Sequence, residues 1–214
     1  HRLRVGRAWE TPRPMRLTGP TLTLRYPEPG DAEALYRHAS DPDVTMWFSW
    51  GPYESLEQPL AWIAQQQARR ENGTQIDFAI DHAEHGVIGI TGLTELSARD
   101  RRAIVGTWFG KEHWGTGANR ESKALIAHLA FAVCGMERIS AYANPDNGRS
   151  VRALEKVGFV REGTLRRWHR HDGRQLDVDI VGMLRDEWEQ GALRTEYDCA
   201  VDGTPPVPWL VASA

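Results

Sequence analysis

The chain has 214 residues, 41% of them hydrophobic and 26% charged, enough for one domain with a sizeable core and terminal extensions. A formal net charge of −3 gives no global field to recruit nucleic acid. No apolar run approaches the roughly 20 residues needed to span a bilayer, so no membrane partner is expected. Cys134 and Cys199 stand far apart without a CxxC pattern, and the first residues lack the apolar core of a signal peptide. Free thiols and a cytoplasmic setting are the expectation.

Residues 1–14 are basic, contain Pro12 and Pro14, and read as a flexible N-terminal arm. Residues 15–192 read as the domain proper. Residues 193–214, with Pro205, Pro206 and Pro208, read as a loosely attached C-terminal tail. Thr21–Tyr26 alternates as a first strand. Asp31 is placed to cap a helix carrying Leu35 and Tyr36, which Asp41-Pro42 should end. A second helix is expected over about 55–71, with Leu60 and Ile63 inward and Asn72-Gly73 as its stop. Strands follow over 75–81, 87–93 and 103–109, separated by turns as in an antiparallel meander.

The next stretch, Trp114-Gly115-Thr116-Gly117-Ala118-Asn119-Arg120-Glu121, is the most informative. It links a strand to a long amphipathic helix carrying Leu125, Ile126, Leu129 and Val133, which Gly135 ends. A helix N-terminus opening on a glycine turn offers free backbone N–H groups and a favourable dipole to an anion such as a phosphate. The glycines let the backbone approach that ligand. A tight turn without a ligand fits the same residues.

A strand is expected over 138–143, a turn at 144–148, a helix over about 149–156, and two strands joined by a hairpin turn at 171–174. A short helix follows at 186–190. The strand–turn–helix–strand unit around residue 120 needs a crossover, so its two strands should run parallel. The fold class is α+β.

Three segments carry a family resemblance: Val105-Gly106-Thr107-Trp108-Phe109 with Trp114-Gly115-Thr116-Gly117, then Asn147-Gly148-Arg149-Ser150, then Ala153-Leu154-Glu155-Lys156-Val157-Gly158-Phe159. In this order and spacing they resemble the GNAT acyltransferase superfamily, in particular its RimJ and RimL branch of ribosomal-protein N-terminal acetyltransferases. Asp31-Ala32-Glu33-Ala34-Leu35 with Asp41-Pro42 fits as well. The resemblance implies a mixed, mostly antiparallel twisted sheet with helices on both faces and a splayed parallel strand pair at the CoA site. Two departures stand out. Asn119 is unusual at the end of the loop, and Leu154 occupies the position where many relatives carry a proton-donating tyrosine.

The implied reaction is attack of an amine on the thioester of acetyl-CoA, a co-substrate, without a metal. The acceptor is a protein N-terminus or a small amine. A non-catalytic acyl-CoA-binding module, or a donor such as succinyl-CoA, is the alternative, and a homodimer is a family-level expectation. Trp114, Gly115, Thr116, Gly117, Ala118, Asn119 and Arg120 are the candidate pyrophosphate residues, with Arg120 adding a charge-assisted contact. Trp108, Phe109 and Asn147 are the candidates for the pantetheine arm. Ser150 is the candidate proton donor to sulfur and Glu95 the candidate base, with Asp77 and Asp100 as rivals. Trp47, Trp50 and Trp62 are candidate cleft walls, although core packing suits such aromatics equally. Glu121 and Lys123 read as solvated helix face. His113, His169 and His171 read as exposed or as lining the entrance, and the cluster Arg166, Arg167, His169, Arg170 as a solvated face.

Overall fold

A computed structural model describes residues 13–211. Nine strands form one sheet: β1 (Arg16–Thr18), β2 (Leu22–Arg25), β3 (Gln75–His82), β4 (Gly86–Ser97), β5 (Arg102–Phe109), β6 (Arg138–Ala143), β7 (Val160–His171), β8 (Arg174–Leu184) and β9 (Ala200–Asp202). Their order is β7-β8-β6-β5-β4-β3-β2-β1-β9. Every neighbouring pair is antiparallel except β5 and β6. Seven helices accompany the sheet: α1 (Ala32–Ala39), α2 (Pro42–Thr45), α3 (Glu57–Glu71), α4 (Ala118–His128), α5 (Gly148–Lys156), α6 (Arg185–Gln190) and α7 (Leu193–Glu196). Among the described residues, no helix is long and apolar enough to cross a membrane.

The parallel pair follows from the chain order. α4 is the crossover that a parallel connection requires. Only Arg102–Arg138, Ala103–Ile139 and Ile104–Ser140 are in register. Both strands run on beyond that point, β5 to Phe109 against β4 and β6 to Ala143 against β8, without pairing with each other. A gap therefore opens in the middle of the sheet, as the resemblance implied.

The two faces of the sheet bury different clusters. Ile76, Phe78 and Ile80 of β3, with Ala103, Val105 and Phe109 of β5, pack with Leu125, Ile126 and Leu129 in the larger core. The alternate residues Ala79 and Ile90 pack with Leu35 of α1 and Ile63 of α3. This is the two-residue period of strands, with a different helix layer on each side. The long helix ends in a π turn at Leu129–Val133, where Cys134 N–H reaches back to Leu129 O, and Gly135 then takes a φ of +76°.

Several expectations need correction. The tail is not loose: β9 pairs with β1, Trp209 is fully buried, and its indole N–H donates to Arg70 O at 2.8 Å. Leu60 is exposed, and Pro59 and Gln66 take inward positions beside Ile63. Asp31 precedes α1 but does not cap it, because its carboxylate accepts two hydrogen bonds from Arg25 and one from Glu28 N–H. Asp41 and Pro42 start α2, with Asp41 as its cap. Residues 16–18 add a strand that the sequence did not signal. Residues 1–12 of the expected N-terminal arm lie outside the described residues. Cys134 and Cys199 are both free thiols.

Candidate active site

β5 runs into Gly110, a short 3-10 turn at Lys111–His113, and then the glycine loop. Gly115 and Gly117 have φ of +77° and +97°, in the left-handed region that disfavours a side chain. A Cβ at either would meet nothing within 4 Å. Conformation, not crowding, therefore requires the glycines, and the space over the loop is open. The N-cap of α4 is Gly117, which has no side chain to close the helix start, and Thr116 Oγ1 accepts a long bond from Ala118 N–H at 3.4 Å. Arg120 and Glu121 N–H donate to Gly117 O, and the loop N–H groups before them stand at the positive end of the helix dipole.

Arg120 differs from its expected role. Its guanidinium is held by Glu196 at 2.5–2.8 Å and donates to Lys156 O, while its backbone N–H donates to Gly117 O. Trp114 ties three elements together. Its indole N–H donates to Phe109 O at 3.1 Å, and the Arg149 guanidinium stacks 3.4 Å from its ring centroid. A cleft of about 270 Å³ lies there, with Trp47, Trp114, Asn147 and Arg149 in its lining. Asn147 caps α5 by accepting from Ser150 N–H at 3.2 Å. Thus Trp47, Trp114, Asn147 and Ser150, distant in sequence, share one corner. Leu154 is buried in the core.

Trp50 stacks on Phe48 and meets Trp108 edge to face at 5.7 Å. Trp62 packs with Trp108 against the smaller core. Between Trp108 and the strand gap lies a row in cross-strand register: Asp77 of β3, Gly92 of β4 and Gly106 of β5. A Cβ at Gly92 would fall 2.1 Å from Asp77 Oδ1, so the carboxylate leans across Gly92. Gly106 is exposed, with nothing within 4 Å of its Cβ position. One carboxylate oxygen therefore lies over Gly92, on the side of Gly106, while the other accepts from Gln75 Nε2 at 2.6 Å. Burial raises the Asp77 pKa to about 7, against the influence of Arg69.

Glu95 sits on the irregular end of β4 with φ of +50° and is exposed. Its charge reaches Tyr142 of β6, whose phenol is pushed up first by burial and then by Glu95. Asp100 is exposed and hydrogen-bonds Ser97 at the far turn of the hairpin.

Two residues read as solvated are buried. The Glu121 carboxylate accepts from Thr21 N–H, Thr21 Oγ1 and Leu22 N–H, fastening α4 to β2. Lys123 Nζ donates to Thr107 Oγ1 at 2.6 Å and Asn119 Oδ1 at 3.3 Å. Burial lowers its pKa to about 7. Charge on a helix usually marks the solvent side, but α4 is covered by the sheet on one side and by α7 on another. Arg166, Arg167 and Arg170 are exposed, as expected. His113 is not at the strand gap. It joins His38, His82, His85 and Glu112 on the opposite flank of the glycine loop, and burial keeps both His38 and His113 below the ordinary imidazole range.

A mixed sheet with one splayed parallel pair, and a glycine loop opening a helix beside it, defines an acyltransferase-type α+β fold. The match at residues 21–160 to the model for the acetyltransferase (GNAT) domain is direct: the chain belongs to this family. It is 31% identical over 168 residues to the N-acetyltransferase p20 of Bacillus licheniformis, covering 78% of this chain and 94% of that protein. It is 25% identical to a spermidine N(1)-acetyltransferase of Vibrio cholerae, covering 78% of this chain and 95% of that protein. Its fold superimposes with a TM-score of 0.75 on Mycobacterium smegmatis RimJ in complex with CoA-disulfide, at 23% identity, covering 83% of this chain and 90% of that one.

Proposed function

We propose that the protein moves an acetyl group from acetyl-CoA to an aliphatic primary amine by direct attack in a ternary complex. The observation that carries this reading is the open glycine loop before α4, standing beside the gap between β5 and β6. N–H groups of Gly115, Gly117, Ala118 and Asn119 would hold the pyrophosphate, with Thr116 and Trp114 shaping the loop. The pantetheine arm would lie along the free edge of β5 near Trp108 and Phe109, with Asn147 bonding its amides. The Arg120 guanidinium, engaged by Glu196, has no part in the proposal. Similarity to N-acetyltransferases, one of them a spermidine N(1)-acetyltransferase, supports an amine acceptor.

In the reaction, the amine nitrogen bonds to the acetyl carbon and the carbon–sulfur bond breaks. The amine proton leaves to a carboxylate, and Ser150 supplies a proton to the CoA sulfur. Trp47, Trp50 and Trp62 would wall the acceptor side. Glu95, at the rim near Tyr142, is one base. A specific observation favours Asp77 as a second: it leans over Gly92 towards the open space at Gly106, and its pKa of about 7 suits proton abstraction near neutral pH.

The test is free-thiol release from acetyl-CoA and succinyl-CoA, each against peptides and small amines. Release from acetyl-CoA with an amine supports the proposal. Binding of acetyl-CoA without release across the panel would reassign the protein as a binding module, and faster release from succinyl-CoA would reassign the donor. Comparing Asp77→Asn with Glu95→Gln then decides the base.

A further inference from the structure

Three elements meet on the flank of the glycine loop away from the strand gap. α1 contributes His38 from its last turn. The β3–β4 connection contributes His82 and His85. The 3-10 turn after β5 contributes Glu112 and His113. One donor atom each from His38, Glu112 and His113 lie within 4.8 Å of one another. His38 Nδ1 is 3.2 Å from Glu112 Oε1, and His113 Nε2 is 3.9 Å from the same oxygen. The rings of His85 and His113 are 5.5 Å apart, and those of His82 and His85 are 4.5 Å apart.

His38 is the unusual member. Its side chain is 1% exposed. Its Nε2 lies 3.0 Å from Val87 O, an acceptor only, so Nε2 carries the proton and donates. The lone pair is then on Nδ1, which is buried and makes no hydrogen bond. A buried imidazole acceptor without a donor is costly and rare. The neighbouring backbone leaves it room: a Cβ at Gly110 would lie 2.3 Å from Nδ1. An imidazole whose far N–H is anchored to a backbone carbonyl, with its near nitrogen 3.2 Å from a carboxylate oxygen and close to a second imidazole, has the outer-shell arrangement of a metal ligand.

We infer that His38, Glu112 and His113 form a site for a divalent transition-metal ion, with zinc the ion their donor set suits. Two imidazole nitrogens and one carboxylate oxygen are a usual zinc set, and they leave one tetrahedral position open. Ligand atoms around a tetrahedral zinc stand about 3.3 Å apart, and the three donor atoms here lie within 4.8 Å of one another, so ligation requires side-chain rotation that draws them together and turns His38 Nδ1 towards the ion. The open position faces a cavity of about 380 Å³ lined by Arg37, His82, His85, Glu112, His113 and Thr116. His85 or a water would complete the shell there. The Arg37 guanidinium opposes a bare cation, and the Glu112 carboxylate offsets it. The site also touches the glycine loop, because Thr116 Oγ1 donates to His113 O at 2.9 Å. Metal binding would brace the turn that leads into that loop, and it takes no part in acyl transfer.

The test is calorimetric titration of the metal-free protein with Zn²⁺, and titration with Co²⁺ read by visible absorption. One ion per chain is expected, with Co²⁺ bands of four-coordinate nitrogen and oxygen ligation. His113→Ala and Glu112→Gln, both at the accessible side, should weaken Zn²⁺ binding beyond the roughly 10–100-fold that loss of an outer partner costs. His38→Ala should abolish binding, and the first two variants keep the test decisive if it does not fold. Cys199→Ser should leave binding unchanged. No saturable Zn²⁺ binding, or binding that His113→Ala and Glu112→Gln leave intact, would overturn the inference. A titration with inorganic phosphate serves as the competing arm. Thermal stabilisation by phosphate that Arg37→Ala removes, with no Zn²⁺ binding, would make the cavity an anion site instead.

Discussion

Each face of the sheet has one buried ionisable group against it, Lys123 of α4 on one side and Asp77 of β3 on the other, with nearly the same shift and opposite surroundings. On the α4 face, Lys123 is sealed in. Its ammonium donates to Thr107 and Asn119, and Thr107 Oγ1 lies 2.7 Å from Thr91 Oγ1. On the α3 face, Asp77 leans over Gly92 towards a glycine whose side-chain position is open. Burial brings each to about 7, the lysine from above and the carboxyl from below. A perturbed pKa by itself does not identify chemistry. What separates a structural group from a candidate catalyst is access to a space where a reactant fits.

The largest expected effect breaks this comparison on the open side. Asp77→Asn should lower turnover by roughly 10²–10⁴-fold, the range of general acid–base catalysis, with acetyl-CoA affinity little changed. Wild-type turnover should rise with pH through about 7, because the base must lose its proton, and the variant should lose that rise. Steady-state thiol release across pH reads both. A larger loss in Glu95→Gln would hand the role to the rim carboxylate.

On the sealed side, Lys123→Met should leave turnover nearly intact and stabilise the fold by on the order of a few kcal/mol at neutral pH. The wild-type chain pays a burial penalty because its folded-state pKa, about 7, lies below the unfolded value. The unfolded chain therefore binds more protons between pH 7 and about 10, and stability climbs across that window. Urea unfolding at pH 7 and pH 9 should show the climb in wild type and a flatter trend in the methionine variant. Asp77 acts in the opposite sense: its raised pKa makes stability fall as pH rises from about 4 to 7.

Two smaller effects sharpen the reading of the loop. Gly117→Ala places a Cβ at φ of +97°, at a cost of about 1–2 kcal/mol. Acetyl-CoA binding should weaken by roughly tenfold, as calorimetry would read, because the strained loop relaxes away from its binding shape. Arg120→Ala removes the ion pair with Glu196, which is screened by solvent and contributes little. Its acetyl-CoA affinity should stay within a few-fold of wild type. A large affinity loss there would restore the arginine to the phosphate site.

Much of the local geometry of the candidate cofactor side was legible because it depends on neighbouring residues. Gly115 and Gly117 encode left-handed turns, residues 118–133 encode a helix by their apolar spacing, and Asn147-Gly148 encodes a turn and a cap. The crossover followed from connection length alone. The tail was misread because Pro205, Pro206 and Pro208 mark irregular backbone, and irregular backbone still packs when it carries an anchor such as Trp209.

The central strands, the longer helices and the glycine loop could be read from local pattern, and the parallel pair from chain order, whereas β1, α7 and β9 carry no such local signal. Only the tertiary structure decided which charges are inside. Glu121 and Lys123 lie on a helix whose burial depends on the β2 edge and α7, and no local pattern records that. It alone set Asp77 in register with two glycines, and brought His38 to Glu112 and His113. Burial and long-range proximity are properties of the packed chain, and they arise only when segments distant in sequence exclude water from a shared interior.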